Sequence, residues 1–227
     1  MSAGNPVQPA VPVVAVGSHD SFTIDFIDPL FAVILHIGFV RTVVDMRLYL
    51  DFDTLYTEHK VTIRALGLLV LGFMNILLSW HGYHRSVLEK PIRGGMRFYV
   101  DVLCLLIYLF IVLEFQSLQN VAWLLVAQFV LFWLWDGAKA LEYRGSGVWR
   151  TGLRTFGWGL LFVAIAALAT WAPKSSNFEV IVDASLIGLM FLGSTGYRFH
   201  KAMRPGMTIG EAINNWLYGS RLGPAKA

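Results

Sequence analysis

"VTIRALGLLVLGFMNILLSWHG" (residues 61–82) carries a single charged side chain, Arg64, within a run of aliphatic and aromatic residues. About 20 such residues, rising 1.5 Å each, cross the roughly 30 Å hydrocarbon core of a bilayer. The segment reads as a membrane-spanning helix, and it decides the fold class because the rest of the chain repeats the pattern. Segments 27–48, 98–116, 121–139, 155–172 and 179–198 qualify in the same way. The expected fold is all-α: a polytopic membrane protein with six transmembrane helices. Composition agrees, since 56% of the 227 residues are hydrophobic and the mean hydropathy is +0.58, against about 45–50% apolar in a soluble domain. Eight Trp suit helices that end among lipid headgroups. The single cysteine, Cys104, leaves no intrachain disulfide to form.

Basic residues report orientation. They cluster in 83–97 (Arg85, Lys90, Arg93, Arg97), in 139–154 (Lys139, Arg144, Arg150, Arg154) and in the C-terminal stretch (Arg198, Lys201, Arg204, Arg221, Lys226). These segments fall on one side of the six spans, so the positive-inside rule places both termini in the cytoplasm. "FQSLQN" and "APKSSNFE" become short outer turns, and "LYLDFDTLYTEHK" becomes a longer, partly acidic outer connection. Residues 1–26 carry no Lys or Arg and hold Pro6, Pro9 and Pro12; they read as a flexible cytoplasmic tail without the features of a secretory signal. The six-helix domain spans 27–198, and 199–227 read as a basic cytoplasmic tail. A multi-pass protein of the cell membrane, plasma or inner, is expected.

The first span is the unusual one. "FIDPLFAVILHIGF" (residues 26–39) enters its apolar run through Asp28 and Pro29 and places His36 within it. Aspartate followed by proline is a helix-start signal, because the carboxylate accepts from free N–H groups of the first turn and proline lacks the N–H that would be unpaired. A carboxylate at a helix entrance can also bind a neighbouring helix, and both readings stand. His36 lies about 12 Å further along the axis, near mid-bilayer. Ionisable residues at that depth face a cavity or another helix. Pro29, Val33, His36 and Val40 share one helical face, continuing to Val44 and Arg47.

Other polar residues have plainer readings. Arg41 with Asp45, and Arg47 with Asp51, are spaced to pair along a helix. Asp136 is spaced to pair with Lys139, and Asp101 to approach Arg97 one turn earlier. Glu114, Gln128 and Asp183 read as inter-helix glue or entrance charges. His81 and His84 are spaced to share a metal, but no carboxylate or cysteine converges with them in sequence. Haem would need paired deep ligands, and only His36 is deep. "STGYRF" (194–199) lacks a full carbonyl filter sequence. G-x-S-x-G, H-E-x-x-H and Walker-type loops are missing. No enzyme activity, metal, cofactor or nucleic acid is expected.

These residues resemble the six-helix potassium channels of bacteria and lysosomes, whose first helix carries R-x-x-x-F-S-D. Phe26, Asp28, Phe31 and Ala32 fall on that helix pattern. Trp80, His84 and Arg85 of "WHGYHR" are similar to the family's W-x-x-H-H-R, and Asp101 stands near an asparagine of its third helix. The match covers about residues 22–115. Phe22 replaces the motif arginine, Ile27 the motif serine, and His36 stands near a usual threonine. The resemblance implies a pore lined by the first helix and narrowed by apolar side chains, here Val33, His36 and Val40. It also implies a helix network of Phe26, Asp28, Trp80, His84, Arg85 and Asp101.

The function expected is an oligomeric, potassium-type cation channel, with a homotetramer favoured and monovalent cations and the lipid bilayer as its partners. A hydrophobic constriction can gate by dewetting without a cofactor. The alternative is a non-conducting membrane scaffold or sensor subunit that docks a soluble cytoplasmic protein through its basic loops and tail.

Overall fold

The computed structural model describes residues 18–49, 59–90, 92, 95–143, 148–171, 179–203 and 206–218. Within those ranges it describes side chains for 26–41, 43–44, 64–87, 90, 92, 95–143, 151–171, 179–203 and 206–216. The described residues are helical, with no strand among them: α1 (Ser18–Tyr49), α2 (His59–Glu89), α3 (Gly95–Leu113), α4 (Leu118–Glu142), α5 (Val148–Trp171), α6 (Glu179–Ala202) and α7 (Ile209–Tyr218). Arg64–Val87, Gly95–Leu113, Leu118–Glu142, Thr151–Trp171 and Glu179–Ala202 are long and apolar enough to cross a membrane. All the secondary structure among the described residues is helical, and the five long apolar helices mark a multi-pass membrane protein. The first expected span lies inside α1, and the far part of that span falls outside the described side chains. The connections 50–58, with Asp51, and 172–178 lie outside the description, as do the side chains of Asp45 and Arg47.

Six helices close into a ring in the order α1, α3, α4, α5, α6, α2, with α2 and α4 also touching across it. Ion pairs identify its two ends. Arg64 of α2 meets Glu179 and Asp183 of α6 at 3.8 and 3.4 Å. At the opposite, basic end, Lys139 of α4 donates to Ser86 of α2 at 2.6 Å, and Lys201 of α6 binds Asp136 of α4 at 2.9 Å. The turn between α3 and α4 is short, as expected, and Ser117 caps α4 by accepting from the Asn120 N–H at 3.2 Å.

Lipid tails are as apolar as leucine, so close packing and internal hydrogen bonds hold such helices together. Ile27, Phe31, Ile34 and Gly38 form the buried seam of α1. Gly38 permits this approach: a Cβ there would stand 2.6 Å from Val112 Cγ1 and 3.2 Å from Phe73. At the ring's centre the side-chain amides of Asn75 (α2) and Gln128 (α4) bond each other reciprocally, both fully buried.

Two stretches are more ordered than their sequence suggests. Helix α1 begins at Ser18, inside the stretch read as a tail. Much of the stretch from residue 199 is also folded, because α6 runs to Ala202 and α7 packs back on the ring. Thr208 and Glu211 start α7 as a reciprocal capping box: the Thr208 N–H donates to Glu211 Oε2 at 2.7 Å, and the Glu211 N–H donates to Thr208 Oγ1 at 3.3 Å. Residues 219–227 lie outside the description.

Candidate functional site

Asp28 lies well inside α1, which corrects its reading as a helix cap. Its Oδ1 accepts from Trp80 Nε1 at 3.1 Å and from His84 Nε2 at 2.7 Å. The two donors sit one turn apart on α2 with their rings edge to face, 4.9 Å between centroids, so one carboxylate holds two helices in register. Pro29 follows within the helix and donates no N–H to the preceding turn. Phe26 packs on Phe98 of α3, ring centroids 5.7 Å apart. Asp28, Trp80 and His84 are therefore brought together, with Phe26 beside them.

Arg85 and Asp101 do not join that cluster through any hydrogen bond described. Arg85 turns to α7, donating to the Asn215 carbonyl at 2.6 Å and to its side-chain oxygen at 2.7 Å. His81 also faces α7, donating from Nε2 to the Trp216 carbonyl at 2.8 Å. The two histidines of "WHGYHR" thus diverge, and no group of three metal-ligating side chains occurs among the described residues.

Val33, His36 and Val40 occupy the outward face of α1, with Pro29 and Val44. Val33 is 51% exposed and Val40 45% exposed. The face opposite the buried seam is thus an apolar strip with an imidazole at its middle. "STGYRF" lies in α6, where helical hydrogen bonds occupy the backbone carbonyls.

A second polar region sits inside the basic end of the ring. A cavity of about 240 Å³ opens between α2, α3, α4 and α6, with Ile27 and Phe31 of α1 and Trp216 of α7 in its walls. Arg85, Lys139, Arg198 and Lys201 line it against one carboxylate, Asp101. The expected Asp136–Lys139 pairing is replaced, because Asp136 takes Lys201 and accepts from Thr155 Oγ1 at 2.6 Å. Arg97, expected beside Asp101, binds Glu142 at 2.9 Å and the Lys90 carbonyl at 3.2 Å, while its guanidinium stacks 4.5 Å from the centre of the Trp135 ring. Lys139 and Lys201 lie over the same indole, at 5.1 and 5.7 Å.

Sequence reasoning counted Arg198 and Lys201 only as tail charges. The signal that would have found them is helical spacing: Tyr197, Arg198 and Lys201 continue the face of a long apolar helix past the point where its hydropathy falls. No protein-family model, curated protein or solved structure matches the chain.

Proposed function

We propose that the protein is a homo-oligomeric, potassium-type cation channel of six spans with both termini cytoplasmic, and that the outward face of α1 lines its pore. The observation that carries this reading is His36, exposed at mid-helix on an otherwise apolar face. An ionisable side chain at membrane depth is expensive against lipid tails, which favours water or another protein chain over that face. Copies of α1 around an axis supply both. Val33 then forms an apolar constriction that passes ions when wetted and stops them when dry, and His36 sets a ring of polar imidazoles one turn further along the same face.

The Asp28–Trp80–His84 cluster supports the reading as the anchor that would hold α1 in place behind such a pore. The resemblance to six-helix potassium channels rests on these same residues. The rival reading, a scaffold that docks a soluble partner, needs its basic residues free at the surface. Arg85, Lys139, Arg198 and Lys201 are engaged within the bundle, which takes these four out of such a docking surface.

Potassium flux into liposomes holding the purified chain tests the proposal. The chain should carry flux, and His36→Ala should change the conductance. Absence of flux, or an unchanged conductance in the variant, contradicts it.

A further inference from the structure

Lys139 and Arg198 face the cavity with no carboxylate partner among the described residues. Lys139 donates to Ser86 Oγ at 2.6 Å, and Arg198 donates to Ser79 Oγ with its guanidinium 4.6 Å from the Phe132 ring centre. The other two cations are answered: Lys201 by Asp136, and Arg85 by Asn215. Two half-buried cations held only by hydroxyls and ring faces leave a local excess of positive charge in a partly enclosed cavity. Such an excess is costly unless an anion offsets it.

Three buried polar atoms on residues that line the same cavity have no hydrogen-bond partner among the described residues: Tyr83 OH, Trp135 Nε1 and Asp101 Oδ2. Their residues are 7–8% exposed. Buried polar groups are nearly always satisfied, so each unpaired atom needs a physical reason. Trp135 Nε1 lies near the Asp101 carboxylate but outside hydrogen-bonding geometry. An O–H group between them would donate to Asp101 and accept from Trp135. The lining therefore asks for negative oxygens at Lys139 and Arg198 and for a hydroxyl hydrogen at Asp101.

We propose that this cavity is a binding site for a phosphate-class oxyanion that carries at least one O–H donor. The volume, below the roughly 300–1,000 Å³ of drug-sized pockets, suits a single ion or headgroup. Two sources share the chemistry. Inorganic phosphate keeps at least one proton at neutral pH, and a polyhydroxylated phospholipid headgroup carries hydroxyls beside its phosphodiester. Asp101 sets the selectivity, because sulfate is fully ionised, offers no donor and meets a carboxylate at that position. The site belongs to the interior of the ring and stands independently of whether α1 lines a pore.

Calorimetric titration of the full-length, detergent-purified chain tests the assignment. One arm uses inorganic phosphate with sulfate as control; the other uses a short-chain phosphatidylglycerol below its micelle concentration, with the matching phosphatidylcholine as control. Saturable binding in the phosphate arm alone assigns the free ion, and binding in the phosphatidylglycerol arm alone assigns the headgroup. Whichever probe binds should bind at least about tenfold more weakly to Arg198→Gln and to Lys139→Gln, the loss expected for one charge-assisted hydrogen bond. Lys139→Gln carries the test should Arg198→Gln fail to fold. Where phosphate binds, it should exceed sulfate by about tenfold, and Asp101→Asn should erase that preference. Affinity weaker than about 10 mM for both probes, unchanged binding in the folded charge variants, or sulfate binding as well as phosphate overturns the proposal.

Discussion

Asp136 ties three helices through one carboxylate. It extends from α4, accepts from Thr155 of α5 and binds Lys201 of α6, whose ammonium also reaches the Tyr197 hydroxyl at 3.1 Å. Asp136→Ala strands the Lys201 charge at the basic end of the ring, and loss of one partner of a buried ion pair costs about 3–5 kcal/mol. Lys201 is 27% exposed at its side chain, so the low end, about 3 kcal/mol, is expected as lost resistance to unfolding in detergent. An unchanged unfolding midpoint would show that the charge finds water instead. Glu211 supplies a pH prediction. Hydrogen bonds from the Thr208 backbone N–H and hydroxyl hold its carboxyl below the ordinary glutamate value of 4.5. A depressed folded-state value means that the cap's contribution is complete above 4.5 and is lost as pH falls through the folded-state value. Protection of α7 amides from hydrogen exchange, measured against the unstructured rate at the same pH, should therefore fall in acid, and Glu211→Gln should remove most of that dependence. Asp28 marks where reading single residues fails. Aspartate before proline is a sound helix-start signal, but its partners Trp80 and His84 lie on another helix, and only the resemblance to the channel motifs grouped the three in sequence.

Among the elements, α1 is held by shape. Its seam of Ile27, Phe31, Ile34 and Gly38 fits against α2 and α3, and Val112 leaves no room for a side chain at Gly38. Gly38→Leu should push α1 off α3 and expose Cys104 and its surroundings to thiol reagents, while Gly137→Leu, at a position with open space around it, should not. The Asn75–Gln128 amide pair joins α2 to α4 by a different device. In a double-mutant cycle, Asn75→Leu and Gln128→Leu should each destabilise by roughly 1 kcal/mol, and the double variant should lose less than the sum. Strict additivity would mean that the two amides act separately. Span positions in the five later helices were legible from hydropathy alone, and each helix runs a few residues past at least one expected limit, although α3 stops at Leu113, short of the expected 116. Their ends are amphipathic: Lys139 and Lys201 lie on Trp135 and bond inward, so polar residues extend the helices rather than stopping them. Helix α7 was not legible, because its cap signal, Thr208 with Glu211, follows a basic stretch that reads as tail.

At the scale of the whole molecule, the ring is polar at its basic end, joined by a buried amide pair at its centre, and faced on one flank by the outward strip of α1. Helical periodicity grouped Val33, His36 and Val40 on one face before any contact was known. What covers that face depends on other chains, and a single sequence carries no record of them. The cavity was not legible either, since its cations come from three helices and converge only when the ring closes. The central claim is that the α1 strip faces a water-filled axis. Its most direct test is the current through reconstituted Val33→Cys protein in a Cys104→Ser background, before and after a charged, water-soluble thiol reagent. A monovalent cation current that the reagent cuts sharply is expected, because the modified side chain stands at the constriction. Absence of current, or a current the reagent leaves unchanged, would contradict it.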